Sequence, residues 1–343
     1  MKNVSISNKR ILVQGYTNIN FLAQGSFVTC FTATNSENIQ VVITVSNDVQ
    51  ELQTRLNMSQ KLAGLEGVQQ FSHLKQLVVS DEDLEQFNKL YSQEFEKDNL
   101  FALVGPYYEQ NLISFVKQLK MKQKLELFNK ILKIVNSIHS KNVYHMDLKP
   151  SNIMIQNNQP ILIDFGQAVT DQEVQVVLNT SAYAPKHDVY SCMILSEKFD
   201  SYCLGNILHE LYIGQPLASP LANIDKLKQI IGEQAASCIF GLTFYQQEFR
   251  YSPTSCLNHP LFNENTSLEE FNNANRIIVS RFPSNLLSRN QSSISRNYSY
   301  TNVYQGVSKG KMKALCDLGG IEALSEIQSC TLSVETSVAD AFI

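Results

Sequence analysis

Asp147, Asn152 and Asp164 place three oxygen donors within one short stretch, residues 143–166. Hard cations such as Mg²⁺ are held by such donors. Between them lie two apolar runs, 153–155 and 161–163, joined by the turn-prone Gln156-Asn157-Asn158-Gln159-Pro160. This pattern predicts a β-hairpin with a loop at each end. Asp147 and Asn152 then precede one strand and Asp164 follows its partner, which gathers the three oxygens at one end of the hairpin. Carboxylates and amides also populate loops that hold no metal, so the surrounding chain decides what the cluster is for.

The elements that must position these residues fall into two textures. Residues 11–13, 21–22, 27–34 and 39–45 are rich in β-branched or aromatic side chains and are separated by Gly, Asn and Ser. A helical pattern runs from 49 to about 65, with Leu52, Leu56, Ser59 and Leu62 near one face. Strand texture returns at 77–80 and 100–104, around a polar insertion. From Asn111 the chain turns helical. Leu127, Phe128, Ile131, Leu132, Val135 and Ile138 form the broad stripe of a buried helix over 125–139. Residues 200–212 form another helix, stopped by Gly214 and Pro216, and 224–242 reads as one or two more. A strand-rich part followed by a helix-rich part predicts an α+β fold of two subdomains with a cleft between them.

Composition narrows the class. With 343 residues, 43% of them apolar, the chain can bury one large or two modest cores. A net charge of −4 supplies no global attraction to nucleic acid or membrane. Seven scattered cysteines without a C-x-x-C pair fit reduced thiols better than a disulfide framework or zinc site. The N-terminal residues lack the apolar segment of a secretory signal, and no run reaches the roughly 18 apolar residues of a membrane span. The expectation is a soluble cytoplasmic protein. Residues 271–313 contain no Asp or Glu and many Ser and Asn, with Arg276, Arg281, Arg289 and Arg296 among them, which reads as a disordered basic tail.

Taken together, these features resemble the eukaryotic protein kinase family over residues 21–262. His145-Met146-Asp147-Leu148-Lys149-Pro150-Ser151-Asn152 is similar to the catalytic loop, and Asp164-Phe165-Gly166 to the D-F-G motif. Asn179 to Lys186 resembles the end of the activation segment, Asp200 to Gly205 the start of the central helix, and Arg250 with His259 and Pro260 the closing motif of the large lobe. The resemblance implies a bilobal fold with an N-terminal tail over 1–10, a small lobe over 11–108, a large lobe over 109–262 and a tail over 263–343. It implies ATP and Mg²⁺ as cofactors, with Asp147 orienting and deprotonating a hydroxyl, Lys149 neutralising the transferring group, and Asn152 and Asp164 binding metal. Lys149 followed by Pro150 is the form similar to serine/threonine-directed kinases, and Thr180 is placed to bond Asp147 and Lys149. ATP would lie among Leu22, Gly25, Cys30, Val42, Val104 and Met154, the base between Cys30, Val42 and Met154, with Val104 as gatekeeper and 105–107 as hinge.

The small lobe departs from the family. Of the G-x-G-x-x-G loop only Gly25 remains. Thr44 stands where the third-strand lysine binds the α- and β-phosphates, and no lysine occurs between Lys9 and Lys61. The helix glutamate that partners this lysine aligns with Arg55; Glu51, one turn earlier, is the alternative. On the first alignment both members of the ion pair are lost, unless Arg55 itself reaches the phosphates. Met146 replaces the arginine that reads a phosphorylated activation loop. Lys186 replaces the glutamate that pairs with Arg250, which predicts that Arg250 turns to Asp188 or Glu197. Three readings follow: an atypical serine/threonine protein kinase, a pseudokinase scaffold, or a kinase-like small-molecule phosphotransferase, the last disfavoured by the Arg250 and Asp200 motifs.

Overall fold

Alternating burial along successive strands builds the first sheet. Strands β1 (Tyr16–Gln24), β2 (Thr29–Asn35), β3 (Gln40–Ser46), β4 (His73–Gln76) and β5 (Phe101–Pro106) pair antiparallel in the order β1-β2-β3-β5-β4. One face buries Phe31, Ala33, Val41, Ile43, Val45, Ala102 and Val104 in a shared core. The period of two sends Leu103 to the other face, where it packs with Leu52 and Leu56 of helix α1 (Val49–Lys61). The computed structural model describes residues 15–25, 28–77, 84–85, 88, 95, 99–170, 174–175, 182–185, 193–194, 197–217, 224–244 and 247–274. Two compact units divide the chain, Met1–Ala168 and Val169–Ile343.

Helix α1 begins where Asp48 accepts hydrogen bonds from the backbone N–H groups of Gln50 (2.9 Å) and Glu51 (3.1 Å), an N-cap contributing about 1 kcal/mol. It ends four residues before the expected boundary. The chain then hooks onto the second sheet of this unit: Gln69 N donates to Leu162 O (2.9 Å) and Leu162 N to Gly67 O (2.8 Å). That sheet has the order β6-β8-β9, from β6 (Gln110–Asn111), β8 (Ile153–Gln156) and β9 (Gln159–Leu162). Helix α2 (Leu112–Val116), helix α3 (Met121–His139) and β7 (Val143–Tyr144) lie between β6 and β8 in the chain. Helix α3 starts four residues earlier than its apolar stripe implies, because Gln123 accepts from Lys120 N at 3.0 Å and satisfies the first turn.

The hairpin carrying the three oxygens exists, but it is tighter than its sequence indicates. Its turn is only Asn157-Asn158, with Gln156 paired to Gln159 and Pro160 inside β9 opposite Ile155. Both asparagines take positive φ (52° and 59°). A two-residue turn of this kind matches the twist of the strands, and asparagine tolerates it.

The second unit is built on helix α4 (Glu197–Ile213), buried over most of its surface. Helices α5 (Ile224–Ile231) and α6 (Glu233–Leu242) are two elements, because the chain breaks at Gly232 with φ 87°. Arg250 is buried; it donates from Nε to Phe244 O (2.8 Å) and from Nη1 to Lys198 O (3.2 Å), with its guanidinium over the Tyr202 ring. Of the two carboxylates expected to receive it, Glu197 pairs with Lys198 (3.5 Å) and Asp188 lies outside the described residues. After α7 (Pro253–Leu257), the segment assigned to a disordered tail is in part ordered. Helix α8 (Leu268–Ala274) buries Phe271 against the rings of Tyr251 and His259 at 5.3 and 4.7 Å between centroids. One aromatic anchor extends the packed region past Phe262. The rest of the basic stretch lies outside the described residues.

Candidate active site

The loop from His145 to Asn152 is held by its own side chains. Asp147 N donates to His145 Nδ1 (3.3 Å), so Nδ1 is the acceptor and Nε2 carries the proton that bonds Ile163 O at 3.0 Å. The imidazole thereby links this loop to the residue before Asp164. Met146 is buried with φ 63°. Its apolar side chain packs inward where the family has a charged arginine. A 3-10 turn, Pro150–Asn152, brings Asn152 back toward Asp147, and Ile163 N donates to Asn152 O at 3.0 Å. Asn152 and Asp164 are thus brought to one end of the hairpin, as their spacing predicts.

Lys149 Nζ donates to Asp147 Oδ2 at 2.7 Å, and Asn152 Nδ2 donates to the same Oδ2 (3.0 Å) and to Asp147 O (2.9 Å). Both side-chain bonds go to one carboxylate oxygen. This fixes the carboxylate plane and leaves Oδ1, among the described residues, as the oxygen available to a hydroxyl. Asn152 uses its amide nitrogen for positioning, which turns its Oδ1 into the remaining acceptor.

Asp164 sits in the left-handed region (φ 65°, ψ 67°). Arg55 Nη1 donates to its Oδ1. The same guanidinium donates from Nε (3.2 Å) and Nη2 (3.0 Å) to Glu51 Oε1, one helical turn back on α1. Both Glu51 and Arg55 are buried. Burial opposes the charged form of Asp164, yet the adjacent Arg55 outweighs it and holds this carboxyl below the usual carboxylate range. Burial likewise opposes the Arg55 cation, and Asp164 and Glu51 together keep it charged. With Thr44 on β3 and Arg55 on α1, the family's lysine–glutamate pair is absent, and a different pairing takes its place. A buried pair is present, rebuilt within α1 and joined to Asp164. Its signal in the sequence is the i,i+4 spacing of Glu51 and Arg55.

Thr44 itself is buried, its Oγ1 3.7 Å from Cys30 Sγ on the neighbouring strand. Burial pushes the Cys30 thiol up, opposed by the hydrogen bond with Thr44 and the charge of Arg55. Cys30, Val42 and Met154 are half-buried, as suits residues facing a ligand space. Leu22 is exposed and falls at a register shift of the β1–β2 pairing, while Gly25 N closes a turn onto Val28 O at 2.8 Å. Val104 is placed differently from expectation. It pairs with Ile43 and lies in the core on the face opposite Val42 and Thr44, beside a cavity of about 890 Å³ lined also by Tyr16 and Tyr107. The β5 position paired with Val42 is Gly105, covered by the Phe71 ring. Thr180 lies outside the described residues.

The oxygen donors present suit Mg²⁺. One carboxylate and one amide oxygen, completed by phosphate oxygens, is the way this ion is commonly bound. Among the described residues no group of three or more His, Cys, Asp and Glu side chains gathers around a metal position. No described helix is long and apolar enough to cross a membrane.

The protein kinase domain family matches residues 16–262. The chain is similar to homeodomain-interacting protein kinase 1 of Caenorhabditis elegans, 31% identical over 170 residues, which cover 46% of this chain and 20% of that protein. It is also similar to serine/threonine-protein kinase D of Synechocystis sp., 28% identical over 155 residues, or 44% of this chain and 30% of the relative. Mitogen-activated protein kinase 12 of Danio rerio is 29% identical over 135 residues, covering 38% and 37%. The matched region spans from a fifth to just over a third of these relatives.

Proposed function

We propose that this chain, which belongs to the eukaryotic protein kinase family and has its bilobal α+β fold, transfers phosphate from Mg-ATP to serine or threonine hydroxyls of proteins. The network of Asp147, Lys149 and Asn152 carries this reading. Phosphoryl transfer asks little covalent chemistry of the protein; it asks for position and charge. Asp147 Oδ1 receives the proton of the acceptor hydroxyl, whose oxygen bonds to the γ-phosphorus as the bond to the ADP oxygen breaks. Lys149 Nζ, anchored by Asp147, neutralises the transferring group. Asn152 Oδ1 and the Asp164 carboxylate would hold Mg²⁺, which when bound offsets charge on the phosphates. Cys30, Val42 and Met154 supply apolar surface for adenine, and Gly105 takes the position first given to Val104. The small lobe is assigned to 11–108, and the large lobe extends beyond 262 to include α8.

A pseudokinase is the second reading, favoured by two observations: Asp164 is bonded to Arg55, and Thr44 offers no charge to phosphate. A cytoplasmic location is part of this reading, supported by seven scattered cysteines without a C-x-x-C pair. Thermal stabilisation by ATP with and without Mg²⁺ tests the proposal. A magnesium-dependent rise in Tm is expected, and no shift with either would leave the scaffold reading.

A further inference from the structure

We propose that Arg55 is the phosphate-binding cation of this protein, supplied by helix α1 because strand β3 carries Thr44 in place of a lysine. The inference rests on the Mg-ATP reading and adds a binding residue to it.

Three observations carry it. First, the guanidinium is aimed at the site and not at solvent: Nη1 bonds the Asp164 carboxylate, and the side chain is 10% exposed. Second, it is held from behind. Nε and Nη2 share Glu51 Oε1, so the side chain is gripped by its own helix through one edge. Of the five guanidinium N–H donors, these bonds use two and the bond to Asp164 a third. The two remaining donors, one on each terminal nitrogen, are available to an oxyanion. Third, the strand supplies no charge of its own: Thr44, its Oγ1 3.7 Å from Cys30 Sγ, is neutral and buried. The turn after β9 allows this close approach because residue 166 is glycine; a Cβ there would collide with Glu51 Oε1 and the Arg55 guanidinium.

Phosphate would take the two remaining donors, the Glu51 edge is retained, and the Asp164 carboxylate would hold Mg²⁺. No covalent bond changes in this binding.

Nucleotide affinity in the full chain tests the inference by titration calorimetry with ATP, ADP and adenosine. Arg55→Ala is expected to weaken ATP and ADP roughly 10–100-fold, the worth of a charge-assisted bond, and to leave adenosine unchanged. Arg55→Lys retains part of the affinity, having charge without the fork. Thr44→Lys in the Arg55→Ala background is expected to restore ATP binding, which repair of a folding defect would not do selectively. Should Arg55→Ala not fold, Arg55→Lys decides: a loss confined to ATP and ADP supports the role. ATP affinity unchanged in the variant, or an equal loss of adenosine, overturns it. Wild type that binds ATP through Arg55 yet transfers no phosphate overturns only the kinase reading. Wild type that binds no nucleotide overturns both.

Discussion

Arg55 and Asp164, separated by 109 positions in the chain, form an ion pair that ties helix α1 to the turn after β9. The pair lets one guanidinium serve Glu51 and Asp164 together, and its geometry depends on residue 166. An added Cβ at Gly166 would meet both Glu51 and Arg55. Gly166→Ala should cost about 1–3 kcal/mol, the range for overpacking a filled site. It should also weaken Mg-ATP binding. Urea denaturation with parallel nucleotide titration measures both, and a variant with wild-type values would show that the contact is dispensable.

Glu51 is held by Arg55, which donates to its Oε1 from Nε and Nη2. Breaking a buried pair strands the remaining charge at roughly 3–5 kcal/mol. Arg55 keeps Asp164, so the expected cost of Glu51→Ala is about 3 kcal/mol. In an Arg55→Ala background the same change should cost much less, because the interaction is already gone. A double-mutant cycle by chemical denaturation reads the coupling; equal costs in the two backgrounds would deny it.

His259 gives the second unit an acid sensitivity. The ring is fully buried, its Nδ1 accepts from Leu261 N (3.1 Å), and burial lowers its pKa from 6.5 to about 4. Below 6.5 the unfolded chain takes up a proton that the folded chain refuses. The contribution is therefore complete above pH 6.5 and lost as pH falls toward 4, amounting to about 3 kcal/mol. His259→Gln removes this titration. The stability gap between wild type and variant should shrink between pH 7 and pH 4.5 in urea unfolding, and a constant gap would contradict the assignment.

Arg250 donates to two backbone carbonyls and covers an aromatic ring from a position 1% exposed. A lysine has the charge but neither the planar fork nor the stacking surface. Arg250→Lys should therefore destabilise by about 2–4 kcal/mol through unsatisfied carbonyls. Guanidinium denaturation of the two proteins tests this, and a difference within error would remove Arg250 from the packing account.

The loop of Asp147, Lys149 and Asn152 was the most legible part of the chain, because local spacing and a hairpin end bring these residues and Asp164 together. Long-range geometry was less legible. Val104 and Gly105 differ by one residue, yet strand alternation places them on opposite faces, and a one-residue offset inverts the assignment. The role of Arg55 depends on a partner 109 positions away that no local pattern names. Glu51 was the readable half, as its spacing to Arg55 is helical. Phe271 was misassigned because the polar residues around it resemble a tail, while its ring finds partners in Tyr251 and His259 that composition does not show.

Phosphate transfer from labelled ATP tests the central claim most directly. Wild type and Asp147→Asn, incubated with Mg-ATP and a mixture of protein acceptors, differ by one oxygen at the position that takes the hydroxyl proton. The account predicts label on serine or threonine with wild type and a loss of roughly 10²–10⁴-fold in Asp147→Asn, the usual worth of a positioned general base. Equal labelling by both proteins, or none by wild type, would contradict it.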